Sequence, residues 1–359
     1  MLKTITPIDN SILVERNFAN DNEIETVLEN AKEARNIWKE TSLKERKEIV
    51  GNFVSSFLSN GKEIVENLCK QIGRPISQCP GEMKGFEERA NYMIENADRA
   101  LEDILSKKDK EFDNYVKKEP LGTIFVIAPW NYPFNTSVNS IVPSLLSGNT
   151  VILKHSSQTP LCAEQLFDAA NKALLPKNIF QFLHLDHSST SRVISDSRIN
   201  HVLFTGSVSG GKEVKKSIGT RFIGAGLELG GKDPAYVRSD CNLEHAIDNL
   251  VDGSYFNSGQ SCCGIERIYV DEKVYDKFID GFKSVTEKYI LGNPLEENTN
   301  LGPVVRINAA KFIRTQVKEA LNNGAKNIID SNIFKADDGL NCYVSPSALM
   351  EVNHSMEFM

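Results

Sequence analysis

Gly122-Thr-Ile-Phe-Val-Ile-Ala-Pro-Trp-Asn-Tyr-Pro133 is the stretch from which the fold of this chain is predicted. Its first half is a short apolar run rich in β-branched residues, and a proline-containing turn follows. A helix is expected over 136–146, and a second apolar run, Thr150-Val-Ile-Leu153, comes after it. Strand, helix and strand in this order predict a βαβ unit of a buried parallel sheet.

The same alternation continues towards the C-terminus. A helix is predicted over 161–174, a strand over 179–183 and another strand at His201-Val-Leu-Phe204. The chain is therefore expected to be an α/β protein with a doubly wound open sheet, whose ligands bind beyond the carboxyl ends of the strands. The residues that directly follow strands, and so are expected at that edge, are Asn131, Lys154 and Gly206.

Towards the N-terminus, residues 22–105 have helical periodicity, and Trp38 falls on the apolar face, where a core position is expected. Residues 106–120 are highly charged and predict a solvated hairpin or linker, with an oligomer-forming strand as the alternative. Two pairs have capping-box spacing ahead of amphipathic runs: Asn22 with Glu25, and Ser42 with Glu45.

Composition excludes several classes of protein. The 359 residues are 40% hydrophobic with a net charge of −7, and no cluster of Lys and Arg suggests nucleic acid as a partner. Residues 1–18 lack the apolar core of a signal peptide, and no apolar window is long enough to predict a membrane span. The seven cysteines are scattered, which favours reduced thiols and a cytoplasmic location.

Phe204-Thr-Gly-Ser-Val-Ser-Gly-Gly-Lys-Glu213 predicts a strand, a turn at Gly206 and Ser207, and the start of a helix. Backbone N–H groups at such a helix start attract phosphate, and the helix dipole adds to this attraction. The motif lacks the full G-x-G-x-x-G pattern, so a plain tight turn is the alternative.

Leu227-Glu-Leu-Gly-Gly231 places Glu228 in an apolar stretch. Burial would raise the pKa of this carboxyl towards that of a general base, whereas the alternative is a surface glutamate on a loop. The paired glycines, Gly230 and Gly231, suggest that another group approaches the backbone closely.

Asn257-Ser-Gly-Gln-Ser-Cys-Cys-Gly264 brings Cys262 and Cys263 into a turn of small residues. Such residues leave a thiol accessible. The turn is expected at the start or the end of a helix, and a helix N-terminus there would lower the pKa of the thiol. No second Cys or His pair stands at ligand spacing, so no metal site is expected.

Together and in this order, these motifs resemble the aldehyde dehydrogenase superfamily from about residue 20 to the end of the chain. The resemblance implies an NAD(P)-binding domain at 1–229 and a catalytic cysteine domain, incomplete at its C-terminus, at 230–359. The matching segments are Pro129-Trp-Asn-Tyr-Pro133, Leu153-Lys154, Phe204-Thr-Gly-Ser207, Leu227-Glu-Leu-Gly-Gly-Lys232, Gly259-Gln-Ser-Cys262, Leu291-Gly-Asn-Pro294 and Leu301-Gly-Pro303.

The resemblance also implies a reaction on a small-molecule aldehyde. Cys262 would be the nucleophile, and the Asn131 amide with the Cys262 backbone N–H would hold the oxyanion. Glu228 would activate the water that releases a carboxylic acid, since related enzymes that transfer the acyl group to coenzyme A usually lack a carboxylate there.

The residues that the resemblance assigns to the cofactor are Trp130, Lys154, Ser157, Gly206, Ser207 and Gly230. Ser157 stands where strictly NAD-dependent members often carry a glutamate that binds the ribose 2′-hydroxyl. A serine would tolerate a 2′-phosphate, so we expect NADP to be accepted, alongside NAD.

The sequence ends before the E-x-F-G-P segment of full-length relatives, which predicts a truncated form of a homo-oligomeric protein. Two alternatives stay open at this point. One is a non-catalytic relative that keeps nucleotide binding or a structural role. The other is cofactor-independent thioester hydrolysis by Cys262 and Glu228.

Overall fold

The chain divides into two compact units. The structure, a computed structural model, describes residues 1–108 and 112–359. The first unit comprises Met1–Lys3, Val14–Ile64 and Gly81–Leu229, and the second comprises Thr4–Leu13, Val65–Pro80 and Gly230–Met359. The nucleotide-binding and cysteine roles assigned to residues 1–229 and 230–359 stay predictions.

Helices and strands alternate over much of the described chain. In chain order the helices are α1 (Asp21–Trp38), α2 (Leu43–Leu58), α3 (Gly61–Ile72), α4 (Pro80–Leu101), α5 (Pro133–Leu146), α6 (Pro160–Lys172), α7 (His187–Ser195), α8 (Val208–Ile218), α9 (Leu243–Tyr255), α10 (Tyr275–Thr286) and α11 (Ile307–Asn322). The strands are β1 (Leu2–Ile5), β2 (Ile12–Arg16), β3 (Ile104–Lys108), β4 (Asp113–Val116), β5 (Thr123–Ala128), β6 (Thr150–His155), β7 (Phe180–Phe182), β8 (His201–Gly206), β9 (Gly224–Leu229), β10 (Asp233–Val237), β11 (Ile265–Val270), β12 (Lys326–Asn327) and β13 (Leu349–Met350).

A five-stranded parallel sheet forms the centre of the first unit, in the order β7-β6-β5-β8-β9. All six residues of β5 are buried, as expected of a strand covered on both faces. From β5 the chain builds outwards to β6 and β7, and then returns to the other side of β5 with β8 and β9. The predicted α/β class with a doubly wound parallel sheet is therefore confirmed.

Apolar side chains from the sheet and from the helices that cover it form one core cluster. Three side chains from adjacent strands are fully buried: Phe125, Ile152 and Val202. They pack with Leu28 of α1 and Val214 of α8. Burying residues of this size contributes about 1.5–3 kcal/mol each, and this contribution holds the helices against the sheet.

Two of the predictions for the N-terminal helices are confirmed. Trp38 is 1% exposed, and its Nε1–H donates to the Leu145 carbonyl at 3.0 Å, so it is a core residue. Ser42 caps α2, and Ser42 and Glu45 form the reciprocal hydrogen bonds of a capping box.

The predicted start of α1 is wrong by two residues. Asn20 and Glu23 form the capping box, not Asn22 and Glu25. Both pairs have the same spacing, so the sequence alone could not separate them. Glu25 is instead bound by Arg198, whose Nη2 lies 2.8 Å from its Oε2.

In the charged stretch 106–120, β3 and β4 pair antiparallel. Asp109, Lys110 and Glu111, which are part of that prediction, lie outside the described residues. Over the ranges that the structure describes, no helix is both long and apolar enough to cross a membrane.

The second unit contains a parallel pair of strands, β10 and β11, in register from Pro234 with Arg267 to Val237 with Val270. Val237 and Val251 are buried with Phe278 and Phe282 of α10 in one apolar cluster. This cluster fixes α9, from whose C-terminal end the chain enters the cysteine segment.

Candidate active site

Four predicted site residues lie in or directly after four adjacent strands of the parallel sheet. Lys154 lies in β6, Asn131 follows β5, Gly206 ends β8 and Glu228 lies in β9. Because the strands are parallel, these residues lie towards the same edge of the sheet. The strand order reverses between β5 and β8, and dinucleotides bind in open α/β sheets at such a reversal.

Trp130 and Asn131 lie in the turn between β5 and α5, and both are half-buried. α5 begins at Pro133, a residue suited to the first turn of a helix because its fixed φ is already helical. The residue before it, Tyr132, gives the helix no side-chain cap, so the N–H groups of the first turn require other partners.

Lys154 is half-buried, and desolvation lowers the pKa of its ammonium group. Among the residues that the structure describes, no carboxylate forms an ion pair with Lys154. A bound anion would therefore relieve the cost of desolvating this charge. Ser157 is exposed in the turn that connects β6 to α6.

Ser207 caps α8, and its Oγ accepts the N–H of Gly210 at 3.1 Å while the side chain stays exposed. Gly206 has a packing reason to be glycine, because a Cβ there would lie 2.6 Å from Cζ of Phe204. The phosphate-binding role of this turn stays a prediction, and the exposed helix start is compatible with it.

The expected burial of Glu228 is wrong. Glu228 is exposed, because β9 is the last strand of the sheet and has a neighbour on one side only. Its role as general base stays a prediction, but burial within the chain does not support it. Gly230 is also exposed, and a Cβ added there would meet no described atom within 4 Å. The close approach inferred from the glycine pair is therefore not explained by packing at Gly230.

Cys262 and Cys263 are exposed free thiols between the 3-10 helix Phe256–Gly259 and β11. The turn follows a helical segment and precedes a strand, so of the two expected positions it lies at the end of a helix, and no helix N-terminus lowers the pKa of the Cys262 thiol. Partial burial raises the pKa of the Cys262 thiol, and the neighbouring Cys263 raises it further by a smaller amount. The thiol therefore needs a base or a bound cation to become a reactive thiolate near neutral pH.

The backbone ahead of Cys262 is left-handed at three consecutive residues, with φ values of 53°, 58° and 71° at Asn257, Ser258 and Gly259. Asn257 is 1% exposed, and Arg74 Nε, also buried, donates to its Oδ1 at 3.1 Å. Gln260 Nε2 donates to the Asn257 carbonyl at 3.1 Å. These hydrogen bonds hold a conformation that costs about 1–3 kcal/mol per non-glycine residue.

Comparison with known proteins gives a match to the aldehyde dehydrogenase family over residues 1–359. The chain belongs to the aldehyde dehydrogenase family. Succinate semialdehyde dehydrogenase (NAD(P)+) of Escherichia coli strain K12 is 29% identical over 341 residues, which are 94% of this chain and 72% of that protein. 3-Sulfolactaldehyde dehydrogenase of Priestia aryabhattai is 31% identical over 318 residues, 87% of this chain and 65% of that protein.

Among solved structures, succinic semialdehyde dehydrogenase from Streptococcus pyogenes in complex with NADP+ has a TM-score of 0.93 and 25% identity. The match covers 100% of this chain and 78% of that one. The chain thus spans about two thirds to four fifths of the aldehyde dehydrogenases named here. The predicted family, enzyme class and nicotinamide cofactor are confirmed at the level of the family.

The comparisons do not test the individual site residues, which stay predictions for this aldehyde dehydrogenase. Three buried side chains that contact the site segments were not predicted from the sequence. Their partners are backbone atoms or side chains in other segments, and no local motif signals such contacts. These residues are Arg74, Glu82 and His155.

Proposed function

We propose that this protein oxidises an aldehyde to a carboxylic acid with NADP or NAD. Support comes from family membership and from the thiol of Cys262, which is accessible in the segment matching the family. The observation that carries the proposal is this exposed cysteine, which follows a strained loop held by hydrogen bonds from Arg74 and Gln260.

In the proposed reaction the Cys262 thiolate attacks the aldehyde carbon, and the carbonyl oxygen becomes an alkoxide. The Asn131 amide donates to that oxygen, and losing such a donor typically raises the barrier by about 3–4 kcal/mol. A bound nicotinamide would supply the acceptor for the hydride. Loss of the hydride leaves a thioester on Cys262. Glu228 takes a proton from water, whose oxygen attacks the thioester carbon; the C–S bond breaks, and the carboxylic acid and the Cys262 thiolate are released.

The residues near the carboxyl ends of the strands fit a nicotinamide dinucleotide. Lys154 offers a desolvated cation without an acidic partner among the described residues, and the Ser207-capped helix start is exposed. Ser157 is exposed and carries no charge to repel a 2′-phosphate. We therefore propose that NADP is accepted alongside NAD.

The test is to supply purified protein with NADP or NAD and a panel of short aldehydes, and to follow reduced nicotinamide. The panel begins with succinic semialdehyde and 3-sulfolactaldehyde, the substrates in the names of the relatives. Cys262→Ser should abolish turnover, whereas the matched control Cys263→Ser, which alters the equally exposed neighbour, should keep most of it. Turnover by Cys262→Ser would contradict the assignment of the nucleophile.

Cofactor choice is tested by calorimetric titration. Replacing Ser157 by Glu should weaken NADP binding by about tenfold or more and leave NAD binding within about threefold, because only NADP brings a phosphate to the carboxylate. An NADP affinity at least a hundredfold weaker than that for NAD in the unaltered protein would refute the proposed acceptance of NADP. Nucleotide binding without turnover of any aldehyde would favour the non-catalytic alternative.

A further inference from the structure

The start of α5, directly after Asn131, is held by a carboxylate from another helix. Glu82 of α4 is 1% exposed, and its Oε1 accepts the backbone N–H groups of Phe134 at 3.0 Å and of Asn135 at 2.9 Å. Both donors belong to the first turn of α5, where N–H groups have no partner within the helix. A negative charge at this position is also favoured by the helix dipole.

His155 binds the same segment through its carbonyl group. Its Nε2 lies 3.2 Å from the Pro133 carbonyl oxygen, and its Nδ1 lies 2.9 Å from the Thr159 hydroxyl. The Ser156 N–H donates to Nδ1 at 3.2 Å, so Nδ1 is the acceptor and Nε2 carries the proton. The neutral ring therefore donates to Pro133 and ties the turn after β5 to the turn after β6.

A buried carboxylate is costly unless hydrogen bonds replace its water. Glu82 satisfies this requirement with the backbone of α5, a role that an apolar residue could not perform. Since Asn131 is two residues from Pro133, any shift of this helix start moves the Asn131 side chain. A displacement of about 1 Å of a reacting group can reduce a rate by about a hundredfold.

We propose that Glu82 and His155 are positioning residues of the reaction: they fix the segment from Pro133 to Asn135 and thereby aim the Asn131 amide at the oxyanion. The inference rests on the proposed function, in which Asn131 stabilises that oxyanion. Glu82 and His155 act through the backbone of α5.

The first test is a double-mutant cycle between Glu82→Gln and Asn131→Ala. Gln keeps the volume of the side chain and removes the charge that binds the two N–H groups. Glu82→Gln should lower kcat about tenfold with little change in KM when Asn131 is present. In the Asn131→Ala background it should lower kcat less than twofold, because the group that it positions is absent. Glu88→Gln, an exposed position on the same helix, is the matched control and should have no effect.

The second test is hydrogen exchange at the backbone amides of Phe134 and Asn135, which needs no turnover. Exchange should become faster in Glu82→Gln and remain unchanged in Glu88→Gln. His155→Leu, which has no N–H donor, removes the hydrogen bond to the Pro133 carbonyl independently, and it should show the same loss of effect in the Asn131→Ala background. This second variant keeps the test decisive if Glu82→Gln folds poorly.

Equal losses of kcat in both backgrounds would overturn the proposal, as would unchanged exchange at Phe134 and Asn135. Absence of turnover in the unaltered protein would contradict the proposed function, and with it the catalytic role of the contacts that Glu82 and His155 make with α5. The exchange data would then still decide whether Glu82 holds the helix start, so the two failures are distinguishable.

Discussion

Acidification should destabilise the protein through His155. The ring is 2% exposed, and burial lowers its pKa from 6.5 to about 3. The unfolded chain therefore binds a proton near pH 6.5, whereas the folded chain binds it only near pH 3. The stability associated with the neutral ring is present above pH 6.5 and is lost as the pH falls from 6.5 through 3. From pH 7 to pH 5 this single group should lower the free energy of unfolding by about 2 kcal/mol.

The perturbation that isolates this contribution is His155→Gln, which retains an N–H donor for the Pro133 carbonyl and does not titrate. Urea unfolding at pH 7 and pH 5 should show that the unaltered protein loses about 2 kcal/mol more than the variant does. Other titrating groups contribute to both proteins, so their effects cancel in this comparison.

Nuclear magnetic resonance of labelled histidines provides a direct check. The signal that disappears in His155→Gln should remain that of a neutral ring with a proton on Nε2 from pH 8 to pH 5. A His155 signal that titrates near pH 6.5 would refute the reasoning. An equal loss of stability in the variant and the unaltered protein would refute it as well.

Three further predictions follow from individual contacts. Trp38→Ala should lower the free energy of unfolding by about 3–5 kcal/mol in urea titrations, whereas the matched control Ile37→Ala, at a position 73% exposed, should change it by less than about 0.5 kcal/mol. Asn257→Ala should lower the free energy of unfolding in urea by about 2–3 kcal/mol, because it removes the acceptor of the buried Arg74 Nε–H and places alanine at positive φ. A decrease below about 0.5 kcal/mol would contradict this. NADP affinity, followed by calorimetry, should fall as the pH rises through the pKa of Lys154, which burial places below 10.5; the same fall in Lys154→Met would exclude this ammonium as the cause.

The strands of the central sheet could be predicted because a buried parallel strand is a continuous run of apolar residues, which the sequence shows directly. The run from Thr123 to Ala128 matches β5 at both ends. The cap of α1 could not be placed in the same way. Two Asn and Glu pairs of identical spacing compete there, and the contact between Glu25 and Arg198 joins residues far apart in the chain.

The sequence predicted where several candidate residues lie on the sheet, but not how deeply each is buried. The order of the strands brings the residues after β5, β6 and β8 to one edge, as expected. The apolar neighbours of Glu228 suggested burial, but β9 is an edge strand, which depends on the topology of the whole sheet. For Cys262 the sequence left open whether its turn begins or ends a helix, because small residues are compatible with both; the structure places it at the end of one.

The left-handed backbone from Asn257 to Gly259 also limits how this part of the protein can change in evolution. β-branched residues are very unfavourable at positive φ, whereas asparagine and glycine tolerate it. In a library that samples every substitution, Asn257 and Ser258 should therefore accept few replacements, and valine and isoleucine should be depleted most strongly at both positions. Cys263, exposed and free of this constraint, should vary widely. Cys262, the proposed nucleophile, thus lies between a segment that tolerates few substitutions and a neighbour that should tolerate many.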